Sequence, residues 1–199
     1  MKVGGILLAA GRSSRMAGHH KLLAEFDGVS LVRKSAETML QSKLSNVVVV
    51  VGHRSSEVER ALRGLPLSIS HNEHFSLGMG SSLAHGFAHE SLSDCAGVLV
   101  MLADMPEVTS GHIDRLLDVF GSFGGEQVVR GADGRQPGHP VVFPPFLYQR
   151  MRELDGDEGA RSVLRDTTIT TQLVDLGRAA LNDVDTPAAV ASAGGVLRA

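Results

Sequence analysis

Three aliphatic runs separated by helical patterns constrain the fold more than any other feature of the sequence. Residues 3–8, 46–51 and 97–102 contain almost no polar alternation. Strands that are covered on both faces of a parallel sheet have this composition. Residues 67–70 show a weaker form of the same pattern. We therefore expect four strands of a buried, parallel sheet in the first half of the chain.

Helical spacing of apolar residues appears between and after these runs. It covers residues 31–40, residues 58–62 after a start signal at 55–57, a helix opening within 83–87, and residues 113–120. Alternating strands and helices predict an α/β fold of three layers around a mostly parallel central sheet.

The second half of the chain is less regular. It predicts short strands at 127–129, 140–143 and 168–174, a helix at 145–154, and a small helix at 188–193 that is entered through Pro187. No repeat or low-complexity linker interrupts the 199 residues, so we expect one domain over residues 1–199.

Bulk composition excludes several functional classes. The net charge is −3 and the pI is about 6.3, which gives no basic face for nucleic acid. The opening apolar run is shorter than the roughly 20 residues that cross a bilayer, and no other segment is apolar enough. The one cysteine, Cys95, cannot form a disulfide within the chain. These features predict a cytoplasmic protein without membrane or nucleic-acid partners.

The loop at residues 8–16 is suited to bind a polyphosphate. Small residues at 9–11 allow a ligand to approach the main chain, and successive amides form a nest for an anion. Arg15 and Lys21 would add positive charge near phosphate oxygens. The loop matches neither the Walker A pattern nor the dinucleotide fingerprint. From spacing alone, a solvated glycine turn with surface arginines explains it equally well.

Acidic residues follow the third aliphatic run and precede the last helix. Asp104 lies where a carboxylate can hold Mg²⁺ against phosphates, although it could also cap the next turn. Asp183 and Asp185 occupy alternate positions of an extended segment and therefore point the same way. Asp185 could equally be the N-cap of the last helix.

The ordered set of short motifs resembles one family. The pattern L-A-A-G-x-S-x-R-M at residues 8–16, followed by Lys21, resembles the signature of MobA-like nucleotidyltransferases, and most closely that of molybdenum cofactor cytidylyltransferases. Further matching positions are Asn72, residues 78–79, 82–83, 104–106, 138–140, 156–161 and 185–187. Two departures stand out. The segment from Arg15 to Lys21 is one residue longer than usual, and Ala103 replaces a glycine.

This resemblance implies a Rossmann-like nucleotidyltransferase fold and an enzyme that uses CTP with Mg²⁺. Such an enzyme transfers CMP to a molybdopterin-type cofactor, releases pyrophosphate, and has a molybdenum hydroxylase as a candidate partner. The alternatives are a guanylyltransferase that uses GTP, a sugar-phosphate nucleotidyltransferase of the same fold, and a non-catalytic protein that binds and delivers molybdenum cofactor.

The resemblance also implies roles for individual residues. Catalytic candidates are Arg15, Lys21 and Asp104, and metal candidates are Asp104 and Asp185, with Asp183 a weaker one. Nucleotide-binding candidates are Leu8, Ala9, Ala10, Gly11, Arg12, Ser13, Ser14, Gly52, His53, Asn72, Gly78, Met79 and Ser82. Acceptor-binding candidates are Gly138, His139, Asp157 and Arg161.

Several of these residues have a structural alternative. Ser82 could be a helix N-cap, His139 a structural histidine, and Arg161 the partner of Asp157 or Glu158. We expect His19 and His20 to be exposed loop histidines.

Overall fold

A central β-sheet organises the computed structural model, which describes residues 1–16, 18–157, 159–166 and 168–197. Its strands, with those of a separate hairpin, are β1 (Val3–Ala9), β2 (Glu25–Phe26), β3 (Val29–Ser30), β4 (Val47–Val51), β5 (Ser68–His71), β6 (Gly97–Leu102), β7 (Val128–Asp133), β8 (Gln136–Phe143) and β9 (Thr171–Asp175). Seven of them form the sheet in the order β5-β4-β1-β6-β8-β7-β9, and β2 and β3 form the hairpin.

Most strands of the sheet run in the same direction. β4 is parallel to β1 and β5, and β1 is parallel to β6. β8 is antiparallel to both of its neighbours, β6 and β7, and β9 is again parallel to β7. The mostly parallel sheet that the sequence predicts is confirmed, and within the described residues β8 is its reversed strand.

Helices cover both faces of the sheet. They are α1 (Leu31–Leu40), α2 (Ser55–Leu62), α3 (Met79–Phe87), α4 (Ser110–Ser122), α5 (Tyr148–Arg152), α6 (Arg161–Leu164) and α7 (Pro187–Ser192). Apolar residues of α1, α2 and α4 pack in one cluster, and those of α3, α5 and α6 pack in another. The predicted three-layer α/β fold is confirmed.

The strand β4 illustrates why the central strands lack polar alternation. Val47, Val49 and Val51 belong to the cluster with α1, α2 and α4, whereas Val48 and Val50 belong to the opposite one. Because both faces are covered, every side chain of this strand is buried. None of the described helices combines the length and the apolar composition needed to cross a membrane.

The structure differs from the sequence-based elements mainly in the irregular parts. The β2–β3 hairpin was not predicted. α3 begins at Met79, before the predicted start at 83. The predicted helix 145–154 is a 3₁₀ turn, Pro145–Leu147, followed by α5. β8 extends further back than residue 140 and β7 further on than residue 129. The single domain over residues 1–199 stays a prediction.

Candidate active site

A cavity of about 460 Å³ lies at the carboxyl ends of β1 and β6. Open parallel sheets commonly bind ligands at this edge, and the volume is in the usual range for small-molecule sites. The lining residues are Leu8, Ala10, Gly11, Arg12, Ser13, Ser14, Arg15, Lys21, Leu22, Phe75, Ser76, Gly78, Met79, Ser82, Leu102, Asp104, Asp157 and Asp185.

The acidic residues that are distant in sequence converge in this cavity. Asp104 follows β6, and its carbonyl accepts a 3.0 Å hydrogen bond from the amide of Val184. This main-chain bond holds the segment of Asp183 and Asp185 against the end of the strand. Carboxylate oxygens of the three aspartates lie within 4.8 Å of one another.

Lys21 and Arg15 meet the same carboxylates. The ammonium of Lys21 donates to Asp104 Oδ2 and, at 2.5 Å, to Asp185 Oδ1. Arg15 Nη1 donates to Asp185 Oδ2 at 2.8 Å. Burial disfavours a charged lysine, but the carboxylates of Asp104 and Asp185 outweigh burial and hold the pKa of Lys21 above its usual value.

The carboxylates respond differently to their surroundings. Burial raises the pKa of Asp183, and the negative charges of Asp104 and Asp185 raise it further. Burial also opposes ionisation of Asp185, yet Lys21 and Arg15 hold its pKa below the usual value. Asp104 Oδ1 is buried and has no hydrogen-bond partner among the described residues. A hard divalent cation, which prefers carboxylate oxygens, fits this donor set.

The loop after β1 turns sharply before it reaches Lys21. Ser13 has a φ of 52°, in the left-handed region, and its Oγ accepts a 3.3 Å bond from the amide of Lys21. Met16 is fully buried in the apolar cluster with the β2–β3 hairpin. Ala17 lies outside the described residues. Despite the additional residue in this segment, Lys21 reaches both carboxylates.

The expectation that His20 is exposed is wrong. Its relative exposure is 5%, because its ring stacks on that of His53 with centroids 5.6 Å apart. The Nδ1 atoms of both histidines are buried without a partner among the described residues. Burial lowers the pKa of His20. His19 is partly buried.

Close packing explains the glycines before and within α3. A Cβ on Gly78 would lie 2.4 Å from the carbonyl oxygen of Gly156, and one on Gly80 would lie 2.2 Å from that of Asp155. The amide of Gly80 also donates to Gly156 O at 2.8 Å. These glycines therefore let the loop 155–157 lie against α3, which brings Asp157 to the cavity.

Some predicted nucleotide-binding residues lie behind the cavity wall. Ala9, Gly52, His53 and Asn72 are absent from its lining. Ala9 is buried in β1, and a Cβ on Gly52 would lie 2.6 Å from the Cβ of Phe75. The amide of Asn72 donates to the hydroxyl groups of two serines of α3. These residues contact the wall rather than the open space.

Three structural alternatives can be corrected. Ser82 is not the N-cap of α3, because that position is Gly78. Asp185 does not cap α7, because Thr186 Oγ1 accepts from the amide of Ala189. Asp104 bonds Lys21 through its side chain rather than capping a turn.

The predicted acceptor residues lie in three places: the cavity lining, β8 and the start of α6. Asp157 lines the cavity. Gly138 and His139 lie in β8, where a Cβ on Gly138 would come within 2.0 Å of the Ala180 carbonyl oxygen. Arg161 is the exposed first residue of α6. Arg161 forms no ion pair with Asp157, and Glu158 lies outside the described residues.

Sequence reasoning missed Leu22, Phe75, Ser76 and Leu102, which line the cavity. Leu102 is the last residue of a predicted strand, and that position could have identified it as a residue of the site. No sequence pattern marks Phe75 as a site residue. Its place in the cavity depends on tertiary contacts, since it packs against Gly52 and its ring centroid lies 5.8 Å from the Arg12 guanidinium.

Comparisons with known proteins agree with this arrangement. The chain is 32% identical to nicotine blue oxidoreductase of Paenarthrobacter nicotinovorans, over 92% of each chain. It is 28% identical to the purine catabolism protein PucB of Bacillus subtilis, over 92% of this chain and 91% of that one. A Mycobacterium tuberculosis protein solved as a complex with manganese has the same fold, with a TM-score of 0.79, 20% identity and 98% coverage of both chains. Residues 5–175 match the MobA-like NTP transferase domain, and the chain therefore belongs to this nucleotidyltransferase family.

Proposed function

We propose that this protein is a magnesium-dependent nucleotidyltransferase that transfers CMP from CTP to a molybdopterin-type cofactor and releases pyrophosphate. One observation carries the proposal: the carboxylates of Asp104 and Asp185 converge on Lys21 beside the loop that follows β1. This arrangement joins an acidic metal-binding set to a cationic loop within one cavity. The cytoplasmic location is part of the same proposal.

The loop after β1 is assigned to the triphosphate. Residues 10–15 line the cavity, and their amides and the Arg15 guanidinium would supply donors to phosphate oxygens. Lys21 would move its ammonium from the carboxylates to the phosphates, because both are anionic partners at the same end of the cavity. Arg12 and Phe75 form the adjoining wall.

Asp104 and Asp185 would hold Mg²⁺, with Asp183 as a third carboxylate. The unpartnered Oδ1 of Asp104 supports this assignment, since a buried carboxylate oxygen without a donor is costly. The ion would neutralise charge on the triphosphate and the leaving pyrophosphate.

The transfer step needs no protein nucleophile. An oxygen of the acceptor phosphate forms a bond to the α-phosphorus of CTP, and the bond from that phosphorus to the β-bridging oxygen breaks. The bonding electron pair leaves with pyrophosphate. The chain would contribute by aligning the two phosphates and offsetting their charge, which are the main sources of catalysis in phosphoryl transfer.

The identity of the two substrates is the most specific part of the proposal. CTP and molybdopterin follow from the motif resemblance, with GTP or a sugar phosphate as the alternatives. The name of the first relative describes an oxidoreductase. The cavity favours nucleotidyl transfer over that activity, because its aspartates, arginines and lysine suit phosphate and metal-ion chemistry.

The test supplies the purified protein with Mg²⁺, molybdenum cofactor and each nucleoside triphosphate in turn, and measures pyrophosphate. Release with CTP alone supports the proposal, and release with GTP alone selects a guanylyltransferase. Tight binding of cofactor without turnover would identify a delivery protein. Release with CTP and a sugar phosphate, but not with molybdenum cofactor, would replace the acceptor.

A further inference from the structure

Two arginines outside the lining of the cavity have no acidic partner among the described residues. Arg130 is in β7 and Arg161 is the first residue of α6. Among the residues that the structure describes, neither forms an ion pair with a carboxylate. Burial lowers the pKa of Arg130, and the positive charge of Arg161 lowers it further. The described residues thus hold two like charges near each other without a compensating carboxylate.

Sheet packing fixes both arginines on one face. Arg130 lies opposite Val141 in the β7–β8 register, and its Nε donates to the carbonyl of Gly138 at 2.7 Å. Val163, two residues after Arg161, packs in the same apolar cluster as Val128 and Val141. The α6 helix therefore brings Arg161 over the part of the sheet that carries Arg130.

His139 links this pair to the cavity. Leu8 and Leu102 are register partners in β1 and β6, and both line the cavity. Val100 pairs with Val141, so the antiparallel register continues to Leu102 beside His139. Its Nδ1 is buried with no partner among the described residues. Arg130 stands two residues back along the sheet, in the row of Val100 and Val141, and its Nε donates to the carbonyl of Gly138, the residue before His139.

An oxyanion would neutralise the positive charges of Arg130 and Arg161. Arg130 is partly buried, so the like charge of Arg161 repels it more strongly than it would in bulk water, and a doubly charged anion between the two reverses the sign of the interaction. Guanidinium groups bind phosphate through paired N–H donors. Arg130 already donates from Nε to Gly138 O and, more weakly at 3.4 Å, from Nη2 to Pro137 O, which fixes the group and leaves the N–H donors of Nη1 for a ligand.

We propose that Arg130 and Arg161 form an oxyanion subsite that holds the phosphate monoester group of the acceptor. This inference rests on the proposed nucleotidyl transfer and adds Arg130 as a residue that binds the second substrate. β7 lies two strand spacings, about 10 Å, from β6, and Arg130 stands in the row of Val100, four residues before Asp104. A phosphate held between this pair and the cavity would have its attacking oxygen turned towards the triphosphate.

The test measures phosphate binding rather than turnover. The full chain is saturated with Mg²⁺ and α,β-methylene-CTP, which cannot transfer CMP, and is titrated with inorganic phosphate in a calorimeter. Arg161→Met should weaken phosphate binding about tenfold or more, the loss of roughly one charged hydrogen-bonding group. Arg130→Met should do the same. Arg150→Met is the matched control, because Arg150 lies in α5 and already pairs with Asp166.

The exposure of Arg161 and one further variant keep the test independent of folding. Arg161 is exposed, so its replacement leaves the core unchanged. Arg130→Lys retains a cation, and it should bind phosphate more tightly than Arg130→Met. In the transfer assay, Arg161→Met should raise KM for the acceptor and leave KM for CTP unchanged.

Other outcomes decide between the two proposals. Equal phosphate affinity in wild type, Arg130→Met and Arg161→Met would overturn the subsite, as would the absence of phosphate binding to the nucleotide-loaded protein. If the CTP analogue does not bind, the titration is repeated without it. Phosphate binding that depends on both arginines would then support the subsite while the proposed nucleotidyl transfer fails.

Discussion

Lys21 Nζ lies 2.5 Å from Asp185 Oδ1 and also contacts Asp104. The ammonium therefore occupies the side of the carboxylates from which a divalent cation would bind. Metal and lysine compete for the same oxygens, and a triphosphate gives the displaced lysine a new partner. Metal binding and nucleotide binding should consequently support each other.

Replacing Lys21 with methionine tests this competition. Lys21→Met removes the internal cation, so Mn²⁺ should bind the nucleotide-free protein roughly tenfold more tightly, while CTP binds more weakly. Electron paramagnetic resonance of free Mn²⁺ measures the first effect and calorimetry the second. Unchanged or weaker Mn²⁺ binding would rule out the competition. Lys43→Met, which affects a surface pair with Asp118, is the control.

Replacing Asp104 with asparagine tests the metal role. Asp104→Asn keeps the shape of the side chain but removes its charge, so pyrophosphate release should fall about 100-fold or more. Thermal denaturation should show that the fold persists. Asp118→Asn changes an exposed carboxylate of α4 and should leave turnover unchanged. Full activity of Asp104→Asn would remove this residue from the proposed site.

Replacing Gly80 with alanine tests the contact between α3 and the loop 155–157. The added methyl group would meet the Asp155 carbonyl, so Gly80→Ala should lower the free energy of unfolding by about 1–3 kcal/mol and weaken nucleotide binding. In Gly111→Ala, in α4, the added methyl group would meet Thr109 Oγ1 at an ordinary contact distance of 3.8 Å, so this variant should be neutral or slightly stabilising. Chemical denaturation compares the two. Equal stabilities would contradict the close contact.

Protonation of His139 should destabilise the fold in acid. Burial lowers its pKa to about 4 from 6.5, with the charge of Arg130 acting in the same direction. The unfolded chain therefore binds a proton that the folded protein excludes. The stability is fully present above pH 6.5 and falls by about 1.4 kcal/mol per pH unit towards pH 4.

The comparison with His139→Gln isolates this histidine from the others. The variant cannot titrate, so its free energy of unfolding should decline less steeply between pH 6.5 and 4. Urea denaturation at several pH values gives both slopes. Parallel slopes would show that His139 does not carry the effect.

The central strands were predictable because burial on both faces leaves a simple signature. Every residue of β4 is valine, and both of its faces are covered. The β2–β3 hairpin has strands of only two residues, too short for alternation to appear. Its turn places Asp27 and Gly28 in the left-handed region, which a glycine there permits. The reversed direction of β8 leaves no comparable mark on composition.

The candidate site was predictable where strand ends and motifs coincide. Asp104 follows an aliphatic strand, and ligands commonly bind at such ends. The stacking of His20 on His53 was not predictable, since it depends on how the loop turns at Ser13. Arg130 was missed because a lone arginine in a short strand looks like any surface residue. Its relation to Arg161 exists only after α6 packs on the sheet.

The amide of Val184 donates to the carbonyl of Asp104, and this bond has a consequence for shortened versions of the protein. A fragment cut at residue 175 would keep all nine of the described strands and the whole span matched by the family model. It would nevertheless lack Asp183 and Asp185, two of the three clustered carboxylates. We expect such a truncation to preserve the sheet and abolish the proposed divalent-ion affinity, so the proposed function requires residues beyond the last described strand.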